Sequence, residues 1–346
     1  MNEYVLTDSA FRSKVNDCIE KYINASDGIK LSVGIYHRGE KYVFGNGNDV
    51  ATRKYDIGSV SKTLCAHLIL ELEEKGLLDV SKTVDEYLPL KRGKYPTLYE
   101  LLTHTAGYWH LTPLEITLPR LAFHRYAKYN VYENCTDKTV IDCLERRCRH
   151  RAGRKYGYSD FPYAILAVVA ERVTKTPFST LFFDFIQNRI GMRDTELCTE
   201  QSRGVNAILG KKQIDLWRWS KDNPYIAGGG IASPLSDMLK YIELQSVSDE
   251  GFITRAHTLC KESLSKKSKE AMCIGWHTYK RSNQLWHVGG VGTFRTSVIV
   301  NRKRDIGVVV MGNSKGKASA NVHYLAKMLY SELKANKIRL EQKEKI

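Results

Sequence analysis

The sequence predicts an α+β fold in which an antiparallel sheet, flanked by helices, carries an inserted helical domain. Three observations support this. Two β-rich runs lie early in the chain, at residues 30–36 (KLSVGIY) and 41–44 (KYVF). A mainly helical pattern then extends from Asp79 to about Asn223. After Gly228-Gly229-Gly230, strand-like runs return. Strands that stop for a helical block and then resume suggest a sheet domain built from both ends of the chain. The expected division is residues 1–77 plus about 226–346 for the sheet domain and about 78–225 for the helical domain.

The elements follow in order. Phe11, Val15, Cys18, Ile19 and Tyr22 recur at a helical period. His37-Arg38-Gly39-Glu40 between the first two strands reads as a hairpin turn. A long helix starts at Ser59 and runs to Lys75, with Gly76 as its terminator. Loops are expected at residues 89–96 and 107–119. An apolar helix is expected over residues 163–173 and another helix over 236–244. Strands are expected at residues 271–279, 284–288, 293–300 and 306–311, the last two joined by a turn at 301–305. A final helix covers residues 318–333, and the mixed-charge tail from Lys334 reads as its solvated end.

Composition narrows the function. With 53 basic and 38 acidic residues, the net charge of +15 opens readings that involve nucleic acid or acidic partners. The densest patch is residues 146–151 (RRCRHR), extended by Arg154 and Lys155. No zinc finger, helix-turn-helix, RNP motif or Gly-rich phosphate loop accompanies it, so no nucleic-acid partner is expected. No run of 18 apolar residues is present, so no membrane span is expected. The chain shows no secretory signal peptide, and its eight cysteines form no C-x-x-C pair. These features lead to the expectation of a cytoplasmic protein with free thiols, although the even count leaves room for disulfides. The histidines show no H-E-x-x-H or H-x-H spacing, so neither a metal site nor a cofactor is expected.

The chemistry centres on residues 55–63 (YDIGSVSKT). Ser59 sits at a helix start, and Lys62 follows three residues on, one turn away on the same face. An amine there can take or steer the hydroxyl proton. The helix N-terminus supplies partial positive charge where an acyl oxyanion would develop. Alone, S-x-x-K also fits a capping serine beside a solvated lysine. Four further segments stand with it: residues 101–107 (LLTHTAG), 153–160 (GRKYGYSD), 227–233 (AGGGIAS) and 286–290 (WHVGG).

Together these motifs resemble the serine β-lactamase and penicillin-binding-protein superfamily. The resemblance is to the branch with class C β-lactamases, D-Ala-D-Ala carboxypeptidases, D-aminopeptidases and esterases, and it runs from about residue 30 to 330. It implies a β-lactamase-like fold, with Ser59 as nucleophile and Lys62 as its motif lysine. Tyr158 stands at the tyrosine of the family's Tyr-x-Asn motif, a general base. His287-Val288-Gly289 stands where β-lactamases carry Lys-Thr-Gly. The backbone N–H groups of Ser59 and Gly290 would form the oxyanion hole, and Asp160, Gly289 and Arg295 would contact substrate. By the same resemblance His104 shapes a turn, and Cys65 reads as a core residue. Two departures argue against a dedicated β-lactamase: Asp160 replaces the Asn, and His287 replaces the Lys.

The expected function is a serine hydrolase that forms an acyl-enzyme with peptides containing D-residues, small esters, amides or lactones. Acyl transfer to an amine is open to the same residues. The alternative is a ligand-sensing or scaffold homologue without turnover.

Overall fold

A computed structural model describes residues 4–24, 30–108, 130, 132–147, 156–198, 208–209, 212–213, 217, 219–261, 264, 268–313 and 322–339. The chain begins with β1 (Tyr4–Thr7), α1 (Asp8–Asn24), β2 (Lys30–His37), β3 (Glu40–Gly45) and β4 (Lys54–Asp56). One 3-10 turn, Gly58–Val60, leads into α2 (Ser61–Glu74). Then come α3 (Leu98–Leu102), α4 (Asp137–Arg146), α5 (Phe161–Thr174) and α6 (Phe178–Asp184). Short strands β5 (Glu196–Leu197), β6 (Ile208–Leu209) and β7 (Lys212–Gln213) precede β8 (Ile231–Pro234), α7 (Leu235–Val247) and α8 (Gly251–Ala256). The last part holds β9 (Leu259–Lys261), β10 (Glu270–Cys273), β11 (His277–Tyr279), β12 (Leu285–Val291), β13 (Phe294–Asn301), β14 (Ile306–Asn313), α9 (Val322–Ala335) and β15 (Asn336–Arg339).

The main sheet has eight antiparallel strands in the order β3-β2-β14-β13-β12-β11-β10-β9. It thus joins the early hairpin to the late strands, as the interrupted pattern predicts. In β14 the side chains alternate between two cores, since successive residues of a strand face opposite ways. Ile306, Val308 and Val310 pack with Phe11, Val15 and Ile19 of α1 and Leu325 and Leu329 of α9. Val309 and Met311 join the opposite core, which also contains α2, α5 and α7. Both faces are therefore covered, which explains why β14 reads as an unbroken apolar run.

Within the other core, α2 is buried from Ser61 to Leu72. A helix enclosed on all sides is a central element rather than a surface one. It fixes the level of Lys62 between the sheet and the helical block. A second, three-stranded sheet has the order β4-β8-β5.

Several local features differ from the expected ones. The run at residues 271–279 is not one strand but the hairpin β10–β11, turned at Gly275 with φ +74°. A side chain at Gly275 would meet Ala66 of α2 at 2.7 Å, so the chain bends there to clear the helix. The tail after Ala335 is not a helix end but β15, which pairs in parallel with β1. The helical block also holds the short strands β5 to β7. The early hairpin turn does form, with φ +50° at Arg38 and +90° at Gly39, the geometry suited to a two-residue hairpin.

Arg146 and Arg147 end α4; residues 148–155 of the basic patch lie outside the described residues, as does most of the loop expected at 107–119. No helix among the described residues is long and apolar enough to cross a membrane. Among the described cysteines, Cys18, Cys65, Cys260 and Cys273 are free thiols.

Candidate active site

Ser59 lies in the 3-10 turn just before α2 and is half-buried. The turn is shaped from below by Asp56, whose carboxylate accepts from the Gly58 N–H at 2.9 Å. Burial raises the Asp56 carboxyl to about 7, against the opposing pull of that N–H. Gly58 has φ +52°, and a side chain on it would fall 2.6 Å from the Gly290 nitrogen. On β12, a Cβ at Gly289 would fall 1.8 Å from the Ile57 carbonyl and 3.1 Å from the Ser59 nitrogen. The two glycines let β12 pass directly against the serine turn, bringing the Gly290 amide beside that of Ser59.

Lys62 is fully buried, yet its ammonium has a polar environment on several sides. It donates to Ser59 Oγ at 3.0 Å and to the Gly228 carbonyl at 2.9 Å. It also pairs with Asp160 Oδ1 at 2.5 Å. Burial is the strongest single influence and lowers the Lys62 pKa, but Asp160 and Tyr158 together outweigh it, and the net shift is upward. Lys62 is accordingly held as an ammonium. Gly228 has no side chain to fill the space occupied by this ammonium: a Cβ there would sit 3.3 Å from Lys62 Nζ.

Tyr158 hydrogen-bonds to both Ser59 and Lys62. Burial raises its pKa, and the Lys62 charge opposes that rise without cancelling it. Three histidines surround the phenol ring. His104 lies 4.6 Å away between centroids with its ring tilted by 38°, His277 stacks at 6.2 Å, and His287 is tilted at 6.3 Å. His104 occupies a left-handed position, φ +56°, accepts from the Ser159 N–H at 3.4 Å and receives the Gly157 N–H on its carbonyl. It shapes the turn that presents Tyr158. Burial, then His277 and Lys62, hold His287 neutral, with its pKa well below the ordinary value. The His287 Nδ1 lies 3.1 Å from the Val288 carbonyl.

Asp160 bridges two elements: besides Lys62, it accepts from Tyr132 Oη at 2.7 Å. Arg295, opposite Gly290 in the β12–β13 ladder, donates through Nη1 to the Gly292 carbonyl at 2.9 Å and the Phe294 carbonyl at 2.6 Å. Its guanidinium therefore braces the strand turn and lies 3.3 Å from where a Gly290 side chain would begin. Ser59, Lys62, Tyr158 and Asp160 thus converge in direct contact. Gly289 and Gly290 abut the serine turn, His287 stands behind Tyr158, and Arg295 lies over Gly290. Cys65 is a buried core residue.

Sequence reasoning missed one wall of the site. Tyr132, Trp217, Trp219 and Tyr225 line the pocket beside Ser59, together with Asp160, Gly228, Gly229, Gly290 and Val291. Trp217 and Trp219, two residues apart and just ahead of the glycine run, were the available signal. Among the described residues no group of three or more His, Cys, Asp or Glu is placed to hold a metal ion.

The model of the Beta-lactamase family matches residues 15–330, from α1 to α9. This chain belongs to the Beta-lactamase family. Protein flp of Staphylococcus aureus strain MW2 is 21% identical over 282 residues, covering 76% of this chain and 53% of flp. A β-lactamase of Providencia stuartii is 24% identical over 249 residues, 68% of this chain and 60% of that protein. The chain thus spans little more than half the length of the curated relatives it matches. Among solved structures, the β-lactamase/D-alanine carboxypeptidase from Yersinia pestis, complexed with citrate, matches with a TM-score of 0.76 at 19% identity. That match covers 94% of this chain and 99% of the other. At such identity the likeness establishes the β-lactamase-like fold.

Proposed function

We propose that this β-lactamase-family chain is a serine acyl-hydrolase that works through an acyl-enzyme on Ser59. The observation that carries the reading is the contact of Ser59 Oγ with Lys62 Nζ at 3.0 Å, with Tyr158 touching both. An ammonium that donates to Ser59 Oγ cannot also remove its proton. The proton therefore goes to the phenolate form of Tyr158, which the Lys62 charge favours but burial and Asp160 hold back until alkaline pH. Ser59 Oγ attacks the substrate carbonyl, and the backbone N–H groups of Ser59 and Gly290 receive the oxyanion. Removing one such donor typically costs about 10²–10³ in rate. Tyr158 then protonates the leaving group, and water, or an amine in an acyl transfer, resolves the ester. No metal is required.

Small esters, amides, lactones and peptides with D-residues are the substrate classes proposed. The Yersinia pestis relative is described as a D-alanine carboxypeptidase as well as a β-lactamase, which supports including D-amino-acid amides. Asp160, His287 and Val288, where β-lactamases have Asn, Lys and Thr, favour substrates other than β-lactams. Arg295 is the cation nearest Gly290 for a carboxylate on the leaving portion. The free thiols of Cys18, Cys65, Cys260 and Cys273 support a reducing compartment such as the cytoplasm.

The test is a panel of activated esters, D-amino-acid amides and a chromogenic cephalosporin, run with wild type and Ser59→Ala. Turnover of an ester or amide that Ser59→Ala loses is the expected result. No turnover of any member, with no covalent adduct, would replace this reading with that of a ligand-sensing homologue.

A further inference from the structure

The aromatic wall beside Ser59 is rigid and nearly full. The rings of Tyr132 and Tyr225 stack with centroids 4.2 Å apart and planes at 15°. Trp219 lies 6.3 Å from Tyr132 with planes at 24°, Trp217 lies 6.2 Å from Tyr132, and the two indoles are 6.1 Å apart. The wall is tied in place by polar contacts. Asn223 donates to the Tyr132 carbonyl at 2.6 Å and accepts from the Tyr225 N–H at 3.0 Å. Tyr132 Oη is held by Asp160, and Asp160 by Lys62. Gly230, at φ +79°, leaves the space the Trp219 ring occupies: a Cβ there would fall 2.6 Å from the indole. The pocket between this wall and Ser59, which opens to solvent, holds about 20 Å³, room for about one water molecule.

The pocket has a direction. It touches Ser59 and Gly290, but neither Tyr158 nor His287 lines it. A leaving group must lie on the Tyr158 side, where its proton comes from. The walled pocket is therefore where the acyl substituent sits. We propose that Tyr132, Trp217, Trp219 and Tyr225 form a size filter that narrows the substrate classes named above to esters and amides of an acetyl-like acyl group, with Trp219 as the main gate. This rests on the reading of Ser59 as the acylated nucleophile. A methyl group is about as large as a water molecule and fits; a longer chain meets packed rings, and overpacking of this kind is costly.

The experiment uses p-nitrophenyl acetate, butyrate, hexanoate and octanoate with the full chain, comparing kcat/KM across the series. Wild type is expected to favour acetate over hexanoate by at least about tenfold, a difference equal to about 1.4 kcal/mol. Trp219→Ala should raise the hexanoate-to-acetate ratio by at least about tenfold, and Trp217→Ala should raise it less. Trp219→Leu is a second variant in case the alanine does not fold, and the wild-type series is decisive alone. A flat wild-type series, or an unchanged ratio in a folded Trp219 variant, overturns the filter while leaving Ser59 as nucleophile. Absence of Ser59-dependent turnover of every ester overturns the hydrolase reading and the filter with it.

Discussion

Asp160 stands 2.5 Å from the Lys62 ammonium, which is fully buried while the carboxylate keeps 17% exposure. The pair stands in place of the family's neutral Asn. Its consequence is electrostatic. Asp160 holds the proton on Lys62 and also raises the Tyr158 phenol. Both effects delay the appearance of a base until alkaline pH.

Asp160→Asn should therefore move the pH–rate profile of acylation toward lower pH and improve acylation by β-lactams. Removing the carboxylate weakens the hold of both Lys62 and Tyr158 on their protons, so the two groups shift in the same direction. The check is the acylation rate against pH for both proteins with one activated ester. Coincident profiles would count against the pair's role. Asp160→Ala leaves a buried charge unpaired and should cost roughly 3–5 kcal/mol of stability.

Asp56 gives a stability signature. Its carboxyl is raised to about 7 in the folded chain from an ordinary 3.8. The folded state thus keeps a proton that the unfolded state loses, and stability falls as pH rises between those values. Above them the loss is complete. Asp56→Asn retains an acceptor for the Gly58 N–H but cannot titrate. Urea midpoints at about pH 5 and about pH 8 should diverge more for wild type than for Asp56→Asn. Parallel changes would rule out Asp56 as the source.

Gly289 and Gly290 should differ sharply despite being neighbours. A Cβ at Gly289 collides with the backbone of the serine turn, whereas one at Gly290 meets the Arg295 side chain at 3.3 Å and no backbone as close. Gly289→Ala should push β12 off the nucleophile and cost at least about 10² in kcat/KM, the scale of a lost oxyanion donor. Gly290→Ala should lose far less. Equal losses, measured on one ester, would show that the close approach at Gly289 is not what matters.

The parts of this site that were legible in the sequence are those set by short-range geometry. Ser59 and Lys62 are three residues apart on one turn, so their meeting follows from helical spacing. The His37–Glu40 hairpin follows from Arg38-Gly39 at its tip. Tyr132, Trp219 and Tyr225 come from separate segments, and their stacking follows from how α5, the glycine run and the serine turn pack. No local period records that. The β10–β11 hairpin was hidden because Gly275 bends the chain to clear Ala66, a contact 209 residues away (275 − 66 = 209). The β1–β15 pairing joins chain ends that share no pattern at all.

The most direct measurement of the central claim is intact-mass analysis after treatment with a fluorophosphonate, followed by peptide mapping. Ser59 is half-exposed and touches Lys62 and Tyr158, whereas the hydroxyl of Ser61 is buried in α2. The account predicts one phosphonyl adduct on wild type, mapped to Ser59, and none on a folded Ser59→Ala protein. An adduct mapped to Ser61, or one retained by Ser59→Ala, would contradict it.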